Sequence, residues 1–137
     1  MKLVIDTWGW LALEDSREPF HDAATRVYAK AAEVSGSIHT TNFILDETIT
    51  LLYRRRPFEE VSRFTKGLLA SPFIEIQEIT QSRFQRAYDL RLKLRDKPDI
   101  SFTDITTMVV AQDLNVLDIL TGDRHFLQVG FGFRLMP

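Results

Sequence analysis

The chain contains no cysteine, and this absence excludes two kinds of architecture. Without thiols it has neither the disulfide framework that stabilises many small secreted domains nor a thiolate zinc site. The absence fits a reducing compartment, and we expect the protein to be cytoplasmic. We also expect residues 1–137 to form a single domain, because a chain of this length is typical of one domain with a substantial core.

Long apolar runs are absent as well. No stretch approaches the roughly 18 consecutive apolar residues that a membrane-spanning helix needs. The first residues, MKLVIDTWGWLALEDS, have one lysine and several apolar side chains, but Asp6 interrupts the apolar run and no small-residue cleavage site follows. We therefore expect no signal peptide and no membrane partner.

An excess of positive charge is the third feature that the chain lacks. It has 17 Lys and Arg residues against 19 Asp and Glu residues, for a net charge of −2. Proteins that bind nucleic acid through charge alone are usually far more basic. If this protein acts on a polyanion, a bound cation or a local basic rim must provide the positive charge.

The sequence does contain an alternation of short apolar runs and helical patterns. We predict strands at KLVID, SIHTT, FIEIQEI (73–79), VLDILT and FRLM, and helices over 18–34, 43–56, 58–70, 81–96 and 101–114. DRHFLQV predicts a short helical turn. Strands separated by one or two helices are typical of an α/β fold with a mainly parallel sheet.

Several acidic residues fall where such folds place their chemistry. Sites of open α/β sheets form beyond the carboxyl ends of the strands, and Asp6 and Asp123 each follow a predicted strand. Asp104 stands at the border of the apolar face of its helix. Glu47 and its neighbour Asp46 both lie near the start of the 43–56 helix, and periodicity does not choose between them.

Each of these acids also has a purely local interpretation. Asp6 and Asp123 are placed to cap the helical segments that follow them. Ser101 and Asp104 fit the capping-box pattern Ser/Thr-x-x-Asp/Glu. Glu47 is placed to be solvated or to pair with an arginine of its own helix. For any one acid the local role is favoured, so a shared site requires that all of them project to one end of the sheet.

Four segments of the chain together resemble a known family. They are VIDTW, TTNFILDETITLL, SFTDITTMVVAQDL and ILTGDRHF, and they cover nearly the whole chain. In this order they are similar to the PIN-domain ribonucleases, especially the toxin components of VapBC-type toxin–antitoxin pairs. The resemblance implies a PIN-like three-layer α/β/α fold around a mainly parallel sheet of four to five strands.

The resemblance also implies roles for individual residues. It favours Glu47 over Asp46, because the acid of the family follows a threonine-rich strand end and precedes an apolar helix. Trp8 departs from the family pattern, since many members have a smaller residue there. The implied catalytic and metal-binding set is Asp6, Glu47, Asp104 and Asp123, and the hydroxyls implied to lie near the metal or its waters are Thr7, Thr103 and Thr121.

Four clustered carboxylates require a cation. Two unit charges about 4 Å apart repel by about 4 kcal/mol at an effective dielectric near 20. A divalent cation removes this conflict, and carboxylate and hydroxyl oxygens suit Mg²⁺ or Mn²⁺. Zinc is disfavoured, because His39 and His125 show no zinc-site spacing. The expected reaction is hydrolysis of RNA phosphodiester bonds, with a metal-activated water and one or two metals stabilising the transition state.

The resemblance implies three kinds of partner. The first is an RNA substrate, for which Arg54, Arg55 and Arg124 are candidate contacts on the rim. The second is an antitoxin, whose tail is expected to fill an acidic groove that is also lined by apolar side chains. The third is a second copy of the chain, and the 58–70 helix is one candidate for that interface.

The two tryptophans and Phe102 could stack on RNA bases, but such residues more often lie in the core, and we expect a core role for them.

Other α/β proteins also use acidic residues at strand ends, and the sequence disfavours two such classes. A dehalogenase-type phosphotransferase needs a second Asp two residues after Asp6, and Trp8 stands there. A phosphorelay receiver needs a late lysine, and none follows Lys97. The serious alternative is a PIN-fold module that binds RNA or protein without catalysis.

Overall fold

The computed structural model describes all 137 residues, Met1–Pro137. Its strands are β1 (Leu3–Ile5), β2 (Ile38–Thr41), β3 (Ile74–Gln77), β4 (Asp118–Leu120) and β5 (Arg134–Met136). Its helices are α1 (Thr7–Glu14), α2 (His21–Ala32), α3 (Asn42–Arg55), α4 (Phe58–Ala70), α5 (Gln81–Lys93) and α6 (Phe102–Leu114). A 3₁₀ turn over Arg124–Leu127 separates β4 from β5.

The strands form one sheet in the order β3-β2-β1-β4-β5. All four neighbouring pairs are parallel, with Leu3 opposite Ile38 on one side of β1 and Val4 opposite Ile119 on the other. The chain builds outward from β1 to β3 and then returns to the other side of β1. The strand order therefore reverses between β1 and β4, and such a reversal opens a crevice at the carboxyl ends of the strands.

The two faces of the sheet carry separate cores, because side chains alternate along each strand. Val4 and Ile119 pack with residues of α5 and α6, whereas Leu3 and Leu120 pack with residues of α1 to α4. The result is three layers, α/β/α, around a parallel sheet of five strands. The predicted fold class is confirmed.

Some predicted boundaries were wrong. The first long helix begins at His21 rather than at residue 18, because residues 15–21 form turns closed by the hydrogen bonds Glu18 N to Asp15 O and His21 N to Glu18 O. The basic helix ends at Lys93 rather than at residue 96. There the Arg91 guanidinium donates to three backbone carbonyl oxygens outside the helix, those of Leu94, Lys97 and Ile100.

Helix α1 was not among the helices predicted from periodicity. Only the placement of Asp6 as a possible helix cap indicated a helical segment there. It packs closely on β4, since a Cβ added to Gly9 would lie 2.5 Å from Leu120 O. Trp10, only 2% exposed, donates its indole N–H to Thr40 Oγ1 at 3.0 Å, which confirms its core role. None of the helices is both long enough and apolar enough to cross a membrane.

Candidate active site

The four predicted acids reach one pocket from four different elements. Asp6 directly follows β1, Glu47 lies in α3, Asp104 lies in the first turn of α6, and Asp123 follows β4. All four line a single open pocket of about 390 Å³. Asp46 does not line this pocket. The fold therefore brings together acids that are up to 117 residues apart in the sequence.

Asp6 is the innermost acid, and both of its carboxylate oxygens are hydrogen-bonded. Oδ1 accepts from Gly9 N at 3.0 Å, so the predicted cap of α1 is present, and Oδ2 accepts from the Thr121 hydroxyl. The side chain is nevertheless buried, and burial is the main cause that raises the pKa of Asp6 to about 7. The two hydrogen bonds oppose this rise, while the charges of Asp123 and Glu47 add to it.

Asp104 shows why the capping-box interpretation is incomplete. Ser101 Oγ accepts from the backbone N–H of Asp104 at 3.0 Å, as a cap should. The Asp104 carboxyl does not accept from Ser101 N, and one of its oxygens lies within 4.8 Å of ligand atoms of Asp123 and His125. Burial, then the proximity and charge of Asp123, raise the pKa of Asp104 well above its usual range, and the charges of Asp6 and Glu47 raise it further.

Asp123 is the acid of this pair whose pKa is lowered. Burial opposes ionisation here, but the proximity of Asp104 and the contacts with His125 outweigh it and lower the pKa of Asp123. Its Oδ1 also accepts from His125 N at 2.9 Å, which begins the 3₁₀ turn. Asp104 and Asp123 therefore titrate as a pair, with the pKa of one raised and that of the other lowered.

Glu47 is exposed at the rim and forms no ion pair with Arg54 or Arg55. Arg55 lines the acid pocket, and Arg54 lines an adjoining groove of about 420 Å³ that shares Glu47 with it. Arg124 is exposed on the 3₁₀ turn and lines neither. The three candidate RNA contacts therefore differ in which surface they line: Arg55 lines the acid pocket, Arg54 the adjoining groove, and Arg124 neither.

The three predicted hydroxyls differ in their surroundings. The Thr121 hydroxyl donates to the Asp6 carboxylate and accepts from the backbone N–H of Asp123 at 2.9 Å, so it links these two acids. The Thr7 hydroxyl accepts from Thr48 Oγ1 at 3.1 Å, which ties α1 to α3. Thr103 lines the pocket, and its hydroxyl forms no hydrogen bond within the protein.

Two pocket residues were missed as site residues by the sequence reasoning. Asp99, in the loop before α6, is an exposed fifth acid on the pocket wall. His125 lies with its Nδ1 3.0 Å from Asp123 Oδ1 and 3.9 Å from Asp104 Oδ2. A search for paired histidines misses it, because its neighbours in space are carboxylates. Its place two residues after Asp123 in a helical turn was the available signal.

The walls of the pocket confirm that it is apolar as well as acidic. Trp8, Leu11, Ile44 and Leu51 contribute the apolar side chains. Trp8 is half-buried and packs on Gly122, where an added Cβ would lie 2.5 Å from the indole ring. The bulky residue at this position therefore forms part of the wall, and a glycine opposite makes room for it.

The donor set suits a divalent cation. Ligand atoms of Asp104, Asp123 and His125 lie within 4.8 Å of one another. Two buried carboxyls with raised pKa values and one buried ring nitrogen without a hydrogen bond indicate a site that is electrostatically incomplete without a cation. Most of the available donors are carboxylate oxygens, which Mg²⁺ and Mn²⁺ prefer.

Comparison with known families now adds to this geometry. A sequence model described as the PIN domain matches residues 3–132. This chain belongs to the PIN-domain family. The predicted resemblance is confirmed, and the fold, the strand order and the acid-lined pocket can be read as those of a PIN domain.

Individual relatives agree with this assignment. The 23S rRNA-specific endonuclease VapC20 of Mycobacterium tuberculosis is 26% identical over 129 residues, covering 94% of this chain and 95% of that protein. The VapC ribonuclease of Archaeoglobus fulgidus is 27% identical over 128 residues, covering 92% of this chain and 80% of its own. The predicted resemblance to the VapC-type toxin ribonucleases is thereby confirmed.

Solved structures show the same fold. The crystal structure of VapC20, described as a sarcin-ricin loop cleaving toxin, superposes with a TM-score of 0.81 at 25% identity, covering 95% of this chain and 96% of that one. The structure of VapBC2 from Rickettsia felis, bound to a DNA fragment from its promoter, gives a TM-score of 0.76 at 16% identity over 98% and 97% of the two chains.

Proposed function

We propose that residues 1–137 act as one Mg²⁺- or Mn²⁺-dependent endoribonuclease domain, the toxin of a toxin–antitoxin pair. The observation that carries the proposal is the meeting of four acids from four elements in one pocket, with buried carboxyls whose pKa values are raised. The proposed catalytic and metal-binding residues are Asp6, Glu47, Asp104 and Asp123, and the proposed supporting residues are Thr7, Thr103 and Thr121.

A divalent cation held by these acids supplies Lewis-acid activation of a water molecule and stabilises charge on the phosphate. The residues of the chain prepare the site. Thr121 and Gly9 N hold the Asp6 carboxylate in one orientation. Asp104 and Asp123 would hold the cation as ionised carboxylates. No serine, cysteine or histidine nucleophile is needed.

The rim explains how an anionic substrate reaches an acidic pocket. Arg55 lies on the pocket wall and Arg54 on the adjoining groove, so each is placed to contact the RNA backbone. Arg124 follows Asp123 directly and is exposed, but it lines neither of these surfaces. Because VapC20 is named as specific for 23S rRNA, ribosomal RNA is the first substrate to test.

The test is cleavage of RNA by wild type and by Asp104→Asn, with Mg²⁺, with Mn²⁺ and with EDTA. We expect cleavage that requires the metal and a fall of about 1,000-fold in the variant, since a lost ligand removes several kcal/mol of charge stabilisation. A second pair compares Glu47→Gln with Asp46→Asn. These adjacent acids differ in that only Glu47 lines the pocket, so only Glu47→Gln should reduce the rate.

Each variant should keep the thermal unfolding transition of a folded protein. If folded wild type cleaves neither total RNA nor ribosomal RNA with either metal, the enzyme proposal is wrong. The chain would then be the alternative, a PIN-fold module that binds RNA or protein without cleaving it.

Two protein partners are proposed, an antitoxin at the pocket and a second copy of the chain. The pocket offers acids beside apolar walls, which suits an antitoxin tail that carries an arginine and apolar residues.

An exposed aromatic pair lies at the junction of α3 and α4, where the ring centroids of Phe58 and Tyr53 are 5.0 Å apart. This pair supports a homodimer. Light scattering with and without a co-expressed antitoxin tests both, and a strict monomer would count against the dimer. The cytoplasm, where RNA is found, is the proposed location.

A further inference from the structure

The side chain of His125 is unusual among the polar groups of the pocket. Its Nδ1 is the one buried side-chain nitrogen or oxygen in the structure that forms no hydrogen bond. Leaving a buried polar atom unpaired is unfavourable, because the atom loses its hydrogen bonds to water. A partner that is not part of the chain is therefore expected at this nitrogen.

The nearest carboxylate does not satisfy this atom. Nδ1 lies 3.0 Å from Asp123 Oδ1, but the pair does not have the angle of a hydrogen bond. The same oxygen already accepts from the backbone N–H of His125 at 2.9 Å. The turn is thus capped by the backbone, and the imidazole ring is not needed to complete it.

The surrounding atoms are close enough together to share one cation after small side-chain movements. With bonds of about 2.1 Å, neighbouring ligands of an octahedral cation are about 3.0 Å apart and opposite ligands about 4.2 Å apart. Nδ1 lies 3.0 Å from the nearest oxygen of Asp123 and 3.9 Å from the nearest oxygen of Asp104. One ligand atom from each of the three residues fits within 4.8 Å.

We propose that His125 Nδ1 binds the same divalent cation as Asp104 and Asp123, and that this nitrogen shifts the preference of the site from Mg²⁺ towards Mn²⁺ and Co²⁺. The inference rests on the proposed function, because it takes a cation in this pocket as given. Mg²⁺ favours oxygen ligands, whereas imidazole suits transition metals. A carboxylate site with one imidazole should therefore favour Mn²⁺ and Co²⁺ over Mg²⁺ more strongly than a site with oxygen ligands only.

The experiment measures metal binding by the whole chain and does not depend on cleavage. Pulsed electron paramagnetic resonance of the Mn²⁺-loaded protein detects a nitrogen bound directly to the metal, and calorimetry gives the Kd for Mn²⁺ and for Mg²⁺. His21→Ala is the matched control, because His21 Nδ1 lies 2.8 Å from Ala12 O and outside the acid pocket. His125→Asn accompanies His125→Ala, in case the alanine variant does not fold.

We expect the nitrogen signal in wild type and in His21→Ala, and its loss in both His125 variants. The Kd for Mn²⁺ should rise at least tenfold in those variants, with a change of less than threefold for Mg²⁺. If wild type binds Mn²⁺ without a nitrogen signal, or a folded His125 variant keeps the signal, this inference is wrong and the proposed function stands. If wild type binds neither metal, both proposals fail together.

Discussion

The inner and outer sides of the acid pocket are built differently. The inner side, Asp6 and Thr121, is buried and fully hydrogen-bonded to the backbone and to itself. The outer side, Asp104, Asp123 and His125, keeps side-chain exposures of 14%, 33% and 29%. The pKa of Asp104 is raised and that of Asp123 is lowered, and the buried Nδ1 of His125 forms no hydrogen bond.

The inner and outer acids therefore differ in how much they contribute to folding and to metal binding. The inner acid caps α1 and so contributes to the fold, whether or not a cation is present. Asp104 lies in the first turn of α6 and Asp123 caps the 3₁₀ turn, and their carboxyl groups lie close to each other and to the His125 ring. Changes on the inner side should therefore affect folding and chemistry together, and changes on the outer side mainly metal binding.

The largest expected effect is a dependence of stability on pH in the metal-free protein. The pKa of Asp6 rises from 3.8 to about 7 on folding, so the native state holds a proton that the unfolded state releases. The free energy of unfolding should fall between pH 4 and pH 7, by up to roughly 4 kcal/mol at 1.36 kcal/mol per pKa unit. Urea unfolding in EDTA at several pH values measures this.

Two comparisons sharpen that prediction. Saturating Mg²⁺ should reverse much of the fall, because a cation favours the ionised carboxylates. Asp6→Asn should remove the part that Asp6 contributes and leave the part due to Asp104, whose pKa is also raised. A metal-free wild type whose stability is flat from pH 5 to pH 8 would show that burial does not dominate at Asp6.

A smaller effect is expected at the hydroxyls. Thr121→Val removes both the donor to Asp6 and the acceptor for Asp123 N, and should lower the free energy of unfolding by about 1–3 kcal/mol. Thr103→Val, whose hydroxyl forms no hydrogen bond within the protein, should change it by less than about 0.5 kcal/mol. Equal losses in urea unfolding of the two variants would contradict the difference between the inner and outer sides.

The smallest effect is expected at the rim. Arg55→Ala should raise KM for RNA by about three- to tenfold and reduce the dependence of binding on salt by about one phosphate contact. Arg26→Ala is the matched control, since Arg26 is exposed on α2 and does not line the pocket. Cleavage rates at several salt concentrations measure both, and an unchanged Arg55→Ala would remove Arg55 from the substrate path.

The order of strands and helices was predictable because each element carries its own periodic pattern. The strand at Leu3–Ile5 and the helix at Phe102–Leu114 are evident from a few neighbouring residues. Boundaries were less predictable where a side chain acts on distant backbone. Arg91, which binds three carbonyl oxygens beyond its helix, ends α5 by contacts that no local pattern contains.

The candidate site was predictable in part. The four acids were named from resemblance and from their positions after strands and at helix starts, and the structure places all of them in one pocket. His125 and Asp99 were missed as site residues because their relation to the acids exists only in space. The choice between Glu47 and Asp46 rested on resemblance alone, and the direction of α3 places Glu47 in the pocket.

The amino-acid sequence by itself determined most of the elements, the apolar character of β1 and the acids available for chemistry, because these follow from local periodicity and residue type. Only the tertiary structure decided which acid is buried deepest, which pair of acids titrates together and which ring nitrogen forms no hydrogen bond. Those properties depend on distances and on exclusion of water, which arise when β1, β4, α3 and α6 meet.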